Sequence, residues 1–273
     1  MSKIPQVSVV MPTFNRAKEL PRAVRSVLSQ TVKDLELIIV DDASSDNTEE
    51  VISRFKDDRI HYKKLPKNVG GAEARNVGIR MARADLVAFQ DSDDEWTCAK
   101  LAQSLDELEA DKKIGAIFTS YIQISGDNCR LMPVGKNRFQ HSNAYESLLW
   151  QNYVGTPSLV VKKIASFKYL KEPTLLAYVT RGSITGNSEA HRIALERIYE
   201  VHRNAINENK ALKAAWLHRI GDAQMSTGVL SGRRLLFNAL RCEPFNIRYL
   251  VKFLFSMLGR ATVYNNLTKP FKS

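Results

Sequence analysis

The chain has 273 residues, of which 44% are hydrophobic and 25% charged, a composition typical of a globular protein and unlike that of a disordered or fibrous one. No apolar run reaches the length of a membrane span, and the N-terminal stretch lacks a signal-peptide pattern. The three cysteines, Cys98, Cys129 and Cys242, have no disulfide or zinc-site spacing, which suits a reducing cytosol.

The formal net charge is +11, and most of it lies towards the C-terminal end. Residues 190–273 contain 14 Lys and Arg against 5 Asp and Glu, so the first two thirds of the chain are nearly neutral. Such a basic segment favours anionic partners, among which membrane lipid, nucleic acid and acidic glycan are candidates. The same composition also suits a solvated helical surface.

The first half of the chain alternates between short apolar strands and helices with apolar spacing. The predicted elements are strand 6–14, helix 17–30, strand 35–42, helix 48–55, strand 59–65, helix 72–82, strand 84–90, helix 98–110 and strand 114–125. This alternation indicates an α/β fold with a Rossmann-like, doubly wound, mostly parallel sheet. Helical spacing then dominates, so we predict a sheet domain over 1–185 and a basic, helical C-terminal region over 186–273.

Polar clusters follow the predicted strands at the points where they end. These clusters lie at 13–15, 41–42, 68–71 and 91–94. Ligands of doubly wound sheets bind beyond the carboxyl ends of the strands, so the four clusters should converge on one crevice. Neither GxGxxG after the first strand nor GxxxxGK[ST] occurs, which disfavours a Rossmann dehydrogenase and a P-loop enzyme.

The stretch QDSDDEW at 90–96 concentrates carboxylates after the fourth strand. Asp91 and Asp93 alternate along the chain and can point the same way, offering the oxygen ligands that Mg²⁺ or Mn²⁺ shares with phosphates. A cation would also offset their mutual repulsion. The alternative is an acidic surface loop in which Asp93 or Asp94 caps the next helix.

Two further clusters allow a functional or a structural interpretation. Asp41 or Asp42 can accept hydrogen bonds from a nucleobase or ribose, or can lie as a carboxylate near a helix start. Arg75 follows Gly70 and Gly71, which allow close backbone approach, so it can neutralise a diphosphate or be a surface residue of its helix.

Four stretches, VSVVMPTFNR, ELIIVDDASSDNT, NVGGAEARNVGI and VAFQDSDDEW, occur in this order and together resemble the nucleotide-sugar domain of glycosyltransferase family 2, of GT-A fold. The resemblance covers residues 6–163. It implies inverting transfer of a sugar from a nucleotide-diphospho-sugar, usually UDP-linked, to a glycan or lipid-linked acceptor in cell-surface polysaccharide synthesis. It implies a cytoplasmic protein and no nucleic-acid partner.

In that family, the Asp-x-Asp pair binds Mn²⁺ or Mg²⁺ and the donor diphosphate, here through Asp91 and Asp93. The acid after the second strand holds the base of the nucleotide, the first loop lines its pocket, and an Arg lies near the diphosphate. The predicted donor-binding positions are therefore Pro12, Thr13, Asn15, Asp41, Asp42, Gly70, Arg75, Asp91 and Asp93. A nucleotidyltransferase also uses carboxylates and metal, but its Gly-rich first loop is replaced here by MPTFNR.

The catalytic base has no match. The family usually carries it on an acidic helix after a strand like GTPSLVVKK at 155–163, whereas here Lys163 is followed directly by Ile164 and by sequence that resembles what comes after that helix. The acids left between Asp127 and Asp222 are Glu146, Glu172, Glu189, Glu196, Glu200 and Glu208. Either catalysis is impaired in a nucleotide-sugar-binding chain, or a Glu or a partner supplies the base.

The C-terminal stretch 232–260 mixes Phe and Leu with Arg and Lys. Such a segment can lie in a membrane interface or pack as a helix against the rest of the chain. The first possibility predicts peripheral contact with the inner face of the membrane through 232–260.

Overall fold

The computed structural model describes residues 3–132, 155–162, 167–178, 188–257 and 261–268. The chain forms two compact units: a sheet unit, Met1–Arg138 with Tyr153–Thr180, and a helical unit, Phe139–Asn152 with Arg181–Ser273. The predicted boundary at 185–186 lies outside the described residues and stays a prediction.

The sheet unit alternates strands and helices over its first 125 residues, as the sequence predicts. Its strands are β1 Val7–Thr13, β2 Leu35–Asp41, β3 Ile60–Lys64, β4 Leu86–Phe89, β5 Glu95–Trp96, β6 Ala116–Ser125, β7 Asn128–Met132, β8 Val160–Lys162 and β9 Phe167–Tyr178. Its helices are α1 Leu20–Leu28, α2 Thr48–Ser53, α3 Gly71–Met81 and α4 Lys100–Ala110.

These strands form one mixed sheet in the order β3-β2-β1-β4-β8-β6-β9-β5, with β7 paired to β6. The first four strands of that order are all parallel. Beyond them, β8 runs antiparallel to both β4 and β6, and β9 runs parallel to β6. The predicted doubly wound, mostly parallel sheet is confirmed, and its parallel part brings the carboxyl ends of β1, β2 and β4 to one edge.

Apolar side chains cover both faces of the parallel strands. One face packs against α1 and α4, with Val9, Val24 and Leu101 fully buried. The other face packs against α3, where Ile38 and Ala74 belong to one buried cluster. Gly78 allows α3 to lie directly on β1, because a Cβ at this position would overlap the side chain of Val10.

The helical unit is built around one long helix. Its helices are α5 Ser188–Val201, α6 Arg203–Glu208, α7 Lys210–Ser226, α8 Gly232–Cys242, α9 Ile247–Met257 and α10 Ala261–Thr268. Trp216 and Ile220 of α7 are buried with Ile206 of α6. Where α7 meets α8, a Cβ on Gly221 would lie 2.9 Å from the backbone oxygen of Gly232, so the two helices approach closely.

The structure adds three strands that the sequence patterns did not predict, β5, β7 and β9, and Glu172 lies within β9. The basic stretch 232–260 contains two helices, α8 and α9, separated at 243–246. Within the part of the chain that the structure covers, no helix combines the length and hydropathy needed to cross a membrane.

Candidate functional site

The polar clusters predicted to converge do meet at the carboxyl edge of the parallel strands. Pro12 and Thr13 end β1 opposite Val40 and Asp41 of β2. The amide of Asp42 donates to the carbonyl of Thr13 over 2.8 Å. After β4, the amide of Gln90 donates to the carbonyl of Val10 over 3.0 Å, which places the acidic stretch beside the end of β1.

Asn15 joins the loop after β1 to the loop after β2. Its φ of 51° is in the left-handed region, which Asn tolerates better than most residues. Its Oδ1 accepts a hydrogen bond from the amide of Ser45 at 2.9 Å, and its own amide donates to Ser44 Oγ at 2.8 Å. These two bonds between a backbone amide and a side chain hold the loop after β1 against the loop after β2.

Asp41 and Asp42 are both buried, and they hold different segments. Asp41 accepts hydrogen bonds from the amide of Ser44 at 2.8 Å and from the Tyr62 hydroxyl at 2.6 Å. Burial, reinforced by the bond to Asp41, raises the pKa of Tyr62, so this hydroxyl remains a donor. Asp42 accepts from the amides of Val69 and Gly70 at 2.7 and 2.8 Å.

These bonds fix the loop that leads into α3. Gly70 has φ 87° and ψ 151°, a conformation that residues with a Cβ rarely adopt. The carboxylate of Asp42 holds this conformation by binding two successive amides of the loop. Gly70 and Asp42 thus set where α3 begins and where Arg75, on its second turn, lies.

Arginine side chains offset the charge of the acidic stretch. Arg75 Nη2 lies 2.5 Å from Asp91 Oδ1, and Arg16 Nη2 lies 3.6 Å from Asp93 Oδ2. Arg22 donates to the backbone carbonyl of Asp93. Cations from the loop after β1, from α1 and from α3 therefore reduce the repulsion between neighbouring carboxylates.

Several polar atoms at this edge are buried and have no hydrogen-bond partner among the residues that the structure describes: Thr13 Oγ1, Arg75 Nε and Gln90 Oε1. Buried polar atoms are nearly always paired, so such a group of unpaired atoms at one edge is expected where a ligand or water binds. Gln90 also donates through Nε2 to the carbonyl of Asp94 at 3.1 Å and so fixes the turn that carries the two predicted metal ligands.

Sequence reasoning missed four residues of this site: Arg16, Arg22, Tyr62 and Gln90. Arg16 and Gln90 stand inside the motifs MPTFNR and FQDSDDEW, where a search for polar neighbours of the acids could have found them. Tyr62 lies within β3, and no local pattern indicates that its hydroxyl reaches Asp41.

Trp96 follows the acidic turn directly and is buried. Its Nε1 donates a hydrogen bond to the carbonyl of Pro157 at 2.9 Å.

Asp91 and Asp93 suit a cation that takes most of its ligands from elsewhere. Both carboxylates are partly exposed, and Asp91 Oδ2 accepts no hydrogen bond from any residue that the structure describes. In the same residues, no three His, Cys, Asp or Glu side chains form a protein-only metal site. Mg²⁺ and Mn²⁺ accept one or two carboxylates together with water and substrate phosphates, so the oxygen donors present fit such an ion.

Among the acids that the structure describes, none stands out as the catalytic base. Glu189 and Glu196 lie 2.5 and 2.6 Å from the guanidinium of Arg192. The hydrogen bond from Arg192 lowers the pKa of Glu189, the opposite of what a base acting near neutral pH needs. Glu200 and Glu208 are exposed on the helical unit, whereas Glu146 and the junction at Lys163–Ile164 lie outside the described residues.

The model of the family described as "Glycosyl transferase family 2" matches residues 8–165. TuaG of Bacillus subtilis, a glycosyltransferase assigned by name to teichuronic acid biosynthesis, is 34% identical over 164 residues, which are 58% of this chain and 63% of TuaG. The Escherichia coli enzyme WfaP, named UDP-Glc:alpha-D-GlcNAc-diphosphoundecaprenol beta-1,3-glucosyltransferase, is 36% identical over 117 residues, 43% of this chain and 47% of WfaP. The matches thus span about half to two thirds of these relatives.

Two solved structures share the fold at low sequence identity. Staphylococcus aureus TarS 1–349, in complex with UDP-GlcNAc, aligns with a TM-score of 0.63 at 16% identity over 98% of this chain and 91% of that one. The mannosyltransferase PcManGT of Pyrobaculum calidifontis, in complex with GDP-Man and Mn²⁺, aligns with a TM-score of 0.55 at 15% identity over 100% of this chain and 89% of that one. At these identities the likeness concerns the fold, which is GT-A.

Proposed function

This chain belongs to glycosyl transferase family 2, and from that premise we propose that it transfers a sugar from a nucleotide-diphospho-sugar to a glycan or lipid-linked acceptor in the synthesis of a cell-surface polysaccharide. Relatives of the chain carry glycosyltransferase names, and TuaG is named for a surface polymer. The proposed donor is UDP-linked, because the name of WfaP specifies UDP-Glc and TarS binds UDP-GlcNAc.

One observation carries the proposal. Asp91 and Asp93 lie at the edge where β1, β2 and β4 end, paired with Arg75 and Arg16, beside buried polar atoms that lack partners. Such an edge is where doubly wound sheets bind ligands. An anionic diphosphate would supply the acceptor that Arg75 Nε lacks within the described ranges.

The proposed reaction is an inverting displacement in which the acceptor hydroxyl attacks the anomeric carbon and the nucleoside diphosphate leaves. The proton of the hydroxyl passes to a Glu or to a base that a partner supplies. The charge that develops on the leaving diphosphate is stabilised by Arg75, held at this edge by its ion pair with Asp91. Asp42 holds the loop at Val69 and Gly70 in the conformation that positions α3. A divalent cation, Mn²⁺ or Mg²⁺, held by Asp91 and Asp93 would add Lewis-acid stabilisation of the same charge.

The proposed location is the cytoplasm, with the acceptor at the inner face of the membrane, and no nucleic-acid partner is proposed. The name of WfaP includes a diphosphoundecaprenol-linked acceptor, which supports a lipid-linked substrate. The alternative of a catalytically impaired chain rests on the junction at Lys163–Ile164 and on the lack of a matching base among the described acids. Because the relatives are named as transferases, we propose an active enzyme.

A thermal-shift panel tests the donor site: UDP, GDP, CDP and dTDP, each with and without Mn²⁺. We expect UDP with Mn²⁺ to raise the melting temperature, since a ligand at 100 times its Kd stabilises the folded state by about 2.7 kcal/mol. Asp93→Asn should lose this shift, and Asp58→Ala, at an exposed position of the same unit, should keep it. A folded sample that no nucleotide stabilises would overturn the proposal.

Turnover is tested separately with radiolabelled UDP-sugars and membrane lipid extract as the acceptor source. Incorporation of label into lipid that Asp93→Asn abolishes would support transfer. If UDP binds and no donor is consumed, the impaired alternative would replace the proposal.

A further inference from the structure

Helices α8 and α9 form an antiparallel pair with a defined inner side. Near the start of α8, Arg233 Nε donates to the carbonyl of Ser256, near the end of α9, at 2.7 Å. On α9, Tyr249, Lys252 and Ser256 are buried, and Lys252 Nζ donates to Asp222 of α7 at 2.8 Å. These contacts fix which side of α9 faces the helical unit and which side faces outwards.

The outer side of α9 carries a row of exposed apolar side chains, and Arg248 is exposed beside it. Ile247, Leu250, Leu254 and Met257 follow one another at spacings of three, four and three residues, which places them on one face of the helix. All four are exposed, and Ile247 is 76% exposed. Phe245, just before α9, is 97% exposed, so the surface continues into the preceding turn.

The outer side of α8 adds arginines to this surface. Arg234, Phe237 and Arg241, spaced by three and four residues, are all exposed on one face of α8. The Phe237 ring lies 5.4 Å from the ring of Phe253 on α9, so the two outer sides are continuous. We call Phe237, Phe245, Ile247, Leu250, Leu254 and Met257 the apolar face, and Arg234 and Arg241 its arginine border.

We propose that the apolar face docks the protein onto an anionic phospholipid surface. Soluble proteins rarely expose so many large apolar side chains on one contiguous surface without a partner. Helices that lie in a membrane interface bury such side chains among the acyl chains and place arginines at the lipid phosphates. The charge of the surface matches this partner: in 232–257 the only acid is Glu243, which accepts a hydrogen bond from Asn246.

The charge also argues against a second copy of the chain. In a symmetric contact between two apolar faces, the arginine border of one copy would approach that of the other, and like charges at the rim of an interface oppose association. An anionic bilayer offers acyl chains to the apolar face and lipid phosphates to the arginine border. The inference deepens the proposed function, since it names the surface that would bring the enzyme to a lipid-linked acceptor.

The test is co-sedimentation of the full chain with vesicles of phosphatidylcholine, with and without phosphatidylglycerol. We expect binding to vesicles that contain phosphatidylglycerol, and we expect it to weaken as salt screens the arginine border. Leu254→Asp should weaken this binding by about tenfold or more, because it replaces a side chain that the acyl region would bury. Leu131→Asp on β7 is the matched control, since Leu131 and Leu254 are both 52% exposed.

Arg234→Gln combined with Arg241→Gln should reduce binding to the anionic vesicles about 30-fold, because each arginine near such a surface contributes about fivefold. Circular-dichroism melting of each variant checks that it is folded. The proposal is overturned if Leu254→Asp binds like the wild type, if Leu131→Asp weakens binding equally, or if both vesicle types bind alike. It is also overturned if sedimentation equilibrium finds a dimer that Leu254→Asp dissociates.

The assay contains no nucleotide sugar. A failure to bind vesicles therefore leaves the proposed transfer reaction standing, and a failure of the nucleotide panel leaves vesicle binding standing.

Discussion

Lys100 in the sheet unit and Lys252 in the helical unit are 0% and 1% exposed, yet their amines have different neighbours. Lys252 Nζ is 2.8 Å from Asp222 Oδ1. Lys100 Nζ lies 4.3 Å from the centroid of the Trp96 ring and has no hydrogen-bond partner in the described part of the chain. Because burial disfavours a charge that no carboxylate offsets, the pKa of Lys100 is lowered to about 7.

The carboxylates of the two units also differ in their partners and in their exposure. Asp222 accepts hydrogen bonds from Lys252 and from the Tyr264 hydroxyl, and these bonds outweigh burial, so the pKa of Asp222 lies below its usual value. Asp91 and Asp93 are paired with guanidinium groups at a partly open edge. The helical unit therefore pairs Lys252 with Asp222 inside its core, whereas the ion pairs of Asp91 and Asp93 in the sheet unit stay partly exposed.

The largest expected effect comes from breaking the buried ion pair between Lys252 and Asp222. Asp222→Ala leaves the Lys252 amine buried without its carboxylate and should lower the free energy of unfolding by about 3–5 kcal/mol. Urea denaturation measures the loss. The double variant Asp222→Leu/Lys252→Met removes both charges and should recover most of it. UDP affinity measured below the unfolding transition should not change, and a parallel loss of UDP binding would refute the division of roles between the units.

Lys100 should make stability depend on pH. Between pH 7 and the usual lysine range, the unfolded chain keeps this amine protonated while the folded protein holds it neutral, so stability rises with pH across this interval and the benefit is absent below pH 7. From pH 7 to pH 9.5, the free energy of unfolding of the wild type should increase by about 3 kcal/mol relative to that of Lys100→Met. Denaturation at a series of pH values measures this gain, with the exposed Lys112→Met as control. A pH-independent difference would mean that the Trp96 ring alone keeps the amine charged.

Asp42 tests whether a carboxylate at the predicted donor-binding edge also stabilises the fold. Asp42→Ala removes the acceptor of two backbone amides, those of Val69 and Gly70, and should cost about 2 kcal/mol of stability. Calorimetric titration should also find weaker UDP binding, because the loop before α3 loosens. Asp42→Asn keeps one acceptor oxygen, so its stability and its UDP affinity should lie between those of the wild type and of Asp42→Ala. Unchanged UDP affinity in Asp42→Ala would separate this loop from the donor site.

The smallest expected effect concerns backbone conformation. Gly70→Ala places a Cβ at φ 87°, ψ 151°, where nothing lies within 4 Å, so the cost of about 1–2 kcal/mol comes from the backbone alone. Gly126, with φ 58° in the turn between β6 and β7, is the control and should cost about 1 kcal/mol when changed to Ala. Only Gly70→Ala should also weaken UDP binding; a matching effect at Gly126 would point to general destabilisation.

The sequence alone determined the first four strands and the four helices of the sheet unit, and the edge at which its polar residues meet. Apolar periodicity is a local property, so β1 to β4 and α1 to α4 could be found within a few residues of their bounds. Parallel strands place their carboxyl ends together, so the convergence of Thr13, Asp41 and Asp91 on one edge followed from topology.

Tertiary structure decided the contacts between residues that are distant in the chain. The two-residue strand β5 exists because Glu95 and Trp96 pair with Leu176 and Leu175, which no local pattern could indicate. The pairing of Asp93 with Arg16 and the bond from Tyr62 to Asp41 likewise depend on how the strands assemble.

In the helical unit, too, contacts between residues that are distant in the chain decide which side chains are buried. The composition of 232–260 indicated a basic, apolar segment but not which side chains are buried. The contacts of Arg233 with Ser256 and of Lys252 with Asp222 turn one side of α9 inwards and leave Leu250 and Leu254 exposed. Local periodicity specifies elements, whereas exposure and pairing depend on the whole fold.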